Sequence, residues 1–259
     1  MSTLTPERDQ VEQFQSAGFV VLPGILSAQE CGQLRQAVQT DLDPLVGPAE
    51  FEADVGYPGA PANRDVSGGD TPRRLLHAYA RNDTLKSLAL HPLLYAWLRV
   101  LLDCARPMLS QCHHNCVMTK HPGYSSATLW HQDIRYWSFD RPELISAWFA
   151  LGDEDASNGA LQVIPSSHKQ SIDRGRLDSA LFLRPELAAN RPLIESAQVV
   201  NLKAGDLLLF HCRLFHAAGQ NQSQQVKLSP VFTYHAEDNL PIPGTRSERL
   251  PSIAVERME

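Results

Sequence analysis

Between Cys116 and His235 the apolar residues come in short runs separated by turn-forming residues, and this spacing constrains the fold more than any other feature. Seven such runs read as strands: Cys116–Lys120, Thr128–Asp133, Ile145–Leu151, Gly159–Ile164, Val199–Leu202, Asp206–His211 and Val226–His235. Asn158-Gly159 lies between two of them as a hairpin signal, and Ala204-Gly205-Asp206 as another tight turn. The chain before Pro107 has a helical period instead. Thr5-Pro6 opens a helix that Gly18 closes, followed by a short strand at Phe19–Leu22. Ser27-Ala28-Gln29-Glu30 is a capping box, and the helix it starts carries Cys31, Leu34, Ala37 and Val38 on one face to about Asp41. Helix returns over Leu85–Leu90 and Pro92–Leu102, where Leu93, Leu94, Trp97, Leu98 and Leu101 form an apolar face suited to buttressing a sheet. Helices first and strands afterwards predict an α+β protein, and strands this short and numerous suit a jelly roll or related barrel.

The 259 residues read as a single domain, with a mainly helical part over 1–110, a barrel core over 111–236 and a tail over 237–259. Residues 46–74 lose all periodicity and contain five glycines and four prolines, as a lid or a surface loop does. A net charge of -6 argues against a broad nucleic-acid or anionic-membrane surface. No apolar run approaches the ~20 residues that span a bilayer. Met1–Glu7 lacks the basic-then-apolar order of a signal peptide. Five scattered cysteines read as reduced thiols of a cytoplasmic protein. Cys112 and Cys116 enclose His113 and His114, but no second ligand pair stands at zinc-site spacing. No pattern sets an oligomeric state.

The chemistry centres on Leu129-Trp130-His131-Gln132-Asp133-Ile134-Arg135-Tyr136-Trp137. In an extended segment His131 and Asp133 project to the same side. An imidazole and a carboxylate are two of the three ligands of a facial triad, which holds Fe(II) on one face and leaves the other open to a co-substrate and O2. His216 is the leading candidate for the third ligand, with His211 its neighbour and competitor. Lys227, eleven residues after His216, opens a strand and shares a face with Ser229. A cation and a hydroxyl so placed suit the distal carboxylate of 2-oxoglutarate, and a lysine in an apolar strand is costly to bury without an anion. The alternative is a strand-end lysine reaching solvent. Trp130, Tyr136 and Trp137 flank the ligands and Arg135 continues their alternation, either walling a substrate pocket or, for the tryptophans, packing between sheets. Arg135 near the mouth is a candidate for an acidic substrate group, with Arg73 and Arg74 weaker candidates, and His113 is a further candidate to face substrate.

The order of motifs resembles the phytanoyl-CoA hydroxylase (PhyH) family of Fe(II)- and 2-oxoglutarate-dependent dioxygenases. The matching pieces are His131-Gln132-Asp133, Ile145–Leu151, Asn158–Lys169, Ala204–His211 and Leu214–Ser223, in the family's order and approximate spacing. The resemblance implies a double-stranded β-helix, His131, Asp133 and His216 as iron ligands, and hydroxylation of a small organic substrate with release of succinate and CO2. It also implies Trp148 in the co-substrate pocket, with Thr119 or Lys120 reaching the same ligand. Where the family usually has arginine this chain has Lys227, a point charge in place of a two-pronged grip. Halogenases related to the family lack the carboxylate that Asp133 supplies. Two other classes fit the strand pattern: a jelly roll that binds a small ligand without catalysis, and a cupin-like metal-dependent isomerase, which gives Lys227 no role.

Overall fold

The computed structural model describes residues 5–256. In chain order its elements are α1 (Arg8–Ala17), β1 (Phe19–Leu22), α2 (Ala28–Leu42), β2 (Ala49–Phe51), β3 (Pro72–Leu76), α3 (Ala78–Arg81), α4 (Asp83–Ala89) and α5 (Pro92–Leu101). Then come β4 (Pro107–Lys120), β5 (Thr128–His131), β6 (Leu144–Phe149), β7 (Leu161–Val163), α6 (Arg191–Glu195), β8 (Gln198–Val199), β9 (Leu207–His211), β10 (His216–Ala218), β11 (Lys227–Ala236) and β12 (Ile253–Ala254). α1 stops where Gly18 turns left-handed, and the Ser27–Glu30 capping box starts α2 as expected.

Two antiparallel sheets form. The large one runs β1-β9-β6-β11-β4-β3-β2, with β12 added beside β4, and the small one runs β5-β10-β7-β8. Strand alternation explains how both faces of the large sheet are filled. Leu207 and Leu209 of β9 point to the helices, joining Phe14, Leu34, Leu94 and Trp97 in one core. Leu208 and Phe210 point the other way and meet Leu161, Val163 and Ala218 of the small sheet. The central strands therefore read as unbroken apolar runs, because neither face meets water. This is the jelly-roll arrangement expected from the sequence, a double-stranded β-helix buttressed by helices. No helix among the described residues is long and apolar enough to cross a membrane.

Several local expectations are corrected. Asn158-Gly159 does not close a hairpin: β6 pairs with β9 and β11, whereas β7 pairs with β8 and β10 in the other sheet. Asp155 accepts a hydrogen bond from Ser157 N at 2.8 Å, winding a short 3-10 turn that carries the chain across between sheets. The strand expected over Thr128–Asp133 ends at His131, and a 3-10 turn covers Asp133–Tyr136. Residues 46–74 are not irregular throughout, since β2 and β3 extend the large sheet beside β4. β4 is much longer than Cys116–Lys120. Its pairing with β11 jumps from Asn115↔Phe232 to Ser110↔Thr233, so Gln111–His114 bulge out of the ladder, with His113 left-handed at φ 59°.

Candidate active site

His131 ends β5 and His216 begins β10, and the two are direct partners in the small sheet. Gln132 then turns the chain into the 3-10 segment whose first residue is Asp133. A donor atom from each of the three lies within 4.8 Å of the others, and all three residues are buried. Strand alternation alone does not produce this cluster, because a strand end, a turn and a cross-strand pair converge.

Hydrogen bonding fixes the tautomer of both rings. His131 Nδ1 donates to Leu129 O at 2.7 Å and His216 Nδ1 to Leu214 O at 3.0 Å. A carbonyl only accepts, so each Nδ1 carries the hydrogen and each Nε2 turns inward, offering a cation its lone pair when the ring is neutral. Burial opposes protonation of His216, but Asp133 beside it raises that imidazole above its usual range. Those Nε2 atoms lie 3.3 and 3.5 Å from Asp133 Oδ1. Asp133 is 0% exposed, yet neither carboxylate oxygen has a hydrogen-bond partner of acceptable geometry. Acceptors facing acceptors in a dry site are satisfied by a cation, and two imidazoles with one carboxylate are the donor set that suits iron. Burial opposes ionisation of Asp133, but His114 and His216 and the facing ring nitrogens hold its carboxyl well below the usual range. His114 Nδ1 stands 3.3 Å from Asp133 Oδ2, and burial pushes that imidazole down to about 4. His114 and His113 reach the site because of the bulge in β4.

A cleft opens from this cluster between the sheets. Among the residues expected to touch co-substrate, Lys227, Trp148 and Lys120 line it. Lys227 does not reach solvent; its Nζ is 2.9 Å from Glu154 Oε2. Ser229 Oγ donates to Glu154 Oε1 at 2.6 Å, and Trp148 Nε1 donates to the same carboxylate at 3.1 Å. The donors expected to receive a co-substrate carboxylate thus already surround a protein carboxylate, that of Glu154, which is 1% exposed. Thr119 is a correction: adjacent to Lys120, it faces the opposite side of β4 and donates to Pro72 O. Arg73 and Arg74, which also line the cleft, pair with Glu50.

The expected substrate residues divide. Tyr136 and His113 line the cleft, stacked with centroids 3.7 Å apart, and Tyr57 enters it from the 46–74 segment. Trp130 and Trp137 are corrections, because both pack into core clusters outside the cleft wall. Trp137 Nε1 donates to Cys112 O at 3.2 Å. Arg135 does not line the cleft itself: the 3-10 turn breaks the alternation, and its guanidinium lies over Phe182 at 4.0 Å and over the cleft residue Tyr136 at 5.0 Å. His211 stays outside the cluster and accepts from Arg213 N at 3.1 Å. Among the described residues no Cys112–Cys116 metal group forms, and all five thiols are free. Sequence reasoning missed Glu154 and Tyr57. Glu154 sits within Asp153-Glu154-Asp155, which reads as a solvated acidic turn, and Tyr57 lies in a segment without period.

The family model for phytanoyl-CoA dioxygenase (PhyH) matches residues 14–229. The ectoine dioxygenase of Halomonas elongata is 25% identical over 260 residues, covering 93% of this chain and 74% of that protein. The peroxisomal phytanoyl-CoA dioxygenase of Mus musculus is 22% identical, covering 97% of this chain and 75% of its own. Among solved structures, the α-ketoglutarate-dependent carbocyclase SnoK from nogalamycin biosynthesis superposes with a TM-score of 0.75 at 20% identity, covering 97% of each chain. EctD from S. alaskensis with 2-oxoglutarate and 5-hydroxyectoine gives 0.75 at 21%, covering 98% of this chain and 87% of that one. A jelly roll with two histidines and a carboxylate converging at the mouth of its cleft defines a mononuclear non-haem iron oxygenase. The chain belongs to the phytanoyl-CoA dioxygenase (PhyH) family and is an Fe(II)- and 2-oxoglutarate-dependent dioxygenase.

Proposed function

We propose that the chain, acting as one oxygenase unit over its whole length, hydroxylates an unactivated C–H bond of a small organic molecule. His131, Asp133 and His216 are the iron ligands in this reading. Bound Fe(II), 2-oxoglutarate and O2 together supply the oxidant, with succinate and CO2 as co-products. The chain's own residues do the rest. The carbonyls of Leu129 and Leu214 hold the two imidazoles with their Nε2 lone pairs inward. From the large sheet, His114 Nδ1 faces the second oxygen of Asp133 at 3.3 Å. Tyr57, His113 and Tyr136 wall the cleft and keep water from the reacting carbon. Residues 46–74 act as the lid that brings Tyr57 over it, its hydroxyl 3.5 Å from that of Tyr136. The five free thiols support a reducing, cytoplasmic setting.

One observation carries the ligand assignment: a fully buried carboxylate without hydrogen bonds facing two ring lone pairs. The carboxylate also favours hydroxylation over halogenation, since it fills the coordination position a halide needs. A substrate screen scored by succinate release tests the reading. Asp133→Ala should abolish substrate-dependent succinate, and a variant as fast as wild type would refute the assignment.

A further inference from the structure

A second cavity lies on the far side of the cleft wall. It shares Arg74 and His113 with the cleft and is closed by Arg246 and Arg249 of the tail. The tail is fastened there. Ser247 Oγ accepts from Ser138 N at 2.9 Å, Gln111 Nε2 donates to Pro251 O at 2.7 Å, and β12 pairs with β4. Donors crowd this cavity, and its acceptors are spent. Among the described residues Glu50 is its one acid, and both carboxylate oxygens already accept from Arg73 and Arg74. Glu248, between the two tail arginines, accepts from Gly244 N at 2.6 Å instead. Asn115 also lines the cavity and is 2% exposed. Its Oδ1 accepts from Tyr79 N at 2.8 Å, which leaves the Nδ2 hydrogens buried without an acceptor. Among the described residues the side chain of Arg249 has no polar partner, and that of Arg246 has His113 alone.

His113 shows the shortage of acceptors directly. Its Nε2 stands 3.4 Å from Arg74 Nη1 and its Nδ1 3.3 Å from Arg246 Nη2. A neutral imidazole accepts at one nitrogen and carries a hydrogen on the other, whereas a guanidinium only donates. Whichever tautomer forms, one arginine sets its N–H against a ring N–H. Stacking on His114 and Tyr136, with centroids 4.5 and 3.7 Å away, holds the ring in that position.

We propose that this cavity receives the anionic head group of the substrate, a carboxylate or phosphate monoester on an otherwise apolar molecule whose remainder passes over His113 and Tyr136 to the iron ligands. The proposal rests on the oxygenase reading above and adds a substrate class to it. A guanidinium grips such an oxyanion with two parallel hydrogen bonds. The head group gives Arg249 and Asn115 Nδ2 the acceptors they lack and draws Arg246 away from the ring of His113. Arg74, already paired with Glu50, keeps the wall in place. The surplus charge therefore lies on the tail side, in a chain whose net charge is -6. Leu76 and Leu250 line the cavity beside these donors and suit the first methylenes of the molecule.

The test is calorimetric titration of octanoate, octyl phosphate and octan-1-ol into the full chain loaded with zinc and N-oxalylglycine, an unreactive analogue of 2-oxoglutarate. At least one anion should bind, and the alcohol should bind at least about tenfold more weakly. The stronger of the two anions identifies the head group. Arg246→Gln and Arg249→Gln should each weaken that anion by about tenfold and leave N-oxalylglycine binding as it is. Both arginines are exposed, so neither change removes a buried contact. With N-oxalylglycine still bound, three results overturn the proposal and leave the oxygenase reading standing: neither anion binds, the alcohol binds as well as the anions, or the double variant binds them like wild type. An anion that binds yet leaves the visible absorption of the anaerobic Fe(II)- and 2-oxoglutarate-loaded chain unchanged does not reach the iron, and overturns the substrate role. Failure of N-oxalylglycine to bind the zinc-loaded wild type overturns both readings.

Discussion

Asp133 and Glu154 are both buried carboxylates, but they are satisfied in opposite ways. Asp133 lacks a hydrogen-bond partner, whereas Glu154 has three donors. Removing the cation beside Glu154 therefore strands a charge in a dry site. Lys227→Met should cost about 3–5 kcal/mol in denaturant unfolding. Lys120→Met strands no charge and keeps the volume, but leaves Ser126 O and Gly219 O without their donor, and should cost less, about 1–3 kcal/mol at pH 7.5. Wild type and Lys120→Met should also separate with pH. The unfolded chain holds the lysine proton up to the ordinary 10.5, and the folded chain, where burial and then Lys227 and Arg73 disfavour the charge, only up to about 7. Unfolding therefore takes up a proton in that window, so this lysine's contribution to stability rises with pH across it. Unfolding free energies measured from pH 7 to pH 10 should show wild type gaining on Lys120→Met. A gap that narrows with rising pH would contradict the depressed titration.

Pairing between elements, more than the character of any one residue, sets the geometry of the cleft. Gly159 sits where the chain crosses from the large sheet to the small one, at φ 76°. A Cβ there would meet Gly219 O at 2.5 Å and Lys120 Cδ at 3.0 Å. Gly159→Ala should destabilise by about 1–3 kcal/mol from the left-handed backbone and the clash. It should also weaken N-oxalylglycine binding, because the lysine stem is displaced; a variant destabilised but binding normally would separate the two effects. Local pattern identified the four longer helices, most strands and the His131–Asp133 pair, since period, caps and short spacing are readable within one segment, whereas the short α3 and α6 carry no such signal. The bulge at Gln111–His114 and the facing of Lys120 with Lys227 depend on which strands pair and in what register. That information is spread over distant segments, so the alternation that placed Arg135 beside the ligands failed where a 3-10 turn intervened.

The two sheets meet at the cluster, and binding there should register in the stability of the whole molecule. His131 and His216 belong to the small sheet, while His114, which faces Asp133, comes from the large one. Without a cation, the folded state carries an unsatisfied buried carboxylate at this junction. A metal that binds only the folded chain stabilises it by about 2.7 kcal/mol at a hundred times its Kd. For a chain of this length that is a rise of roughly 5–10 °C in Tm. Chelator-treated protein should show this rise on addition of Co(II) or Ni(II). Asp133→Ala should lose most of it, because two imidazoles alone hold a divalent ion weakly. His168→Ala should keep it, since that ring lies away from the cluster and donates to Gln15 O at 3.3 Å beside α1. If Asp133→Ala rises as far as wild type, the ion binds elsewhere, and the convergence of these three side chains is not what holds it.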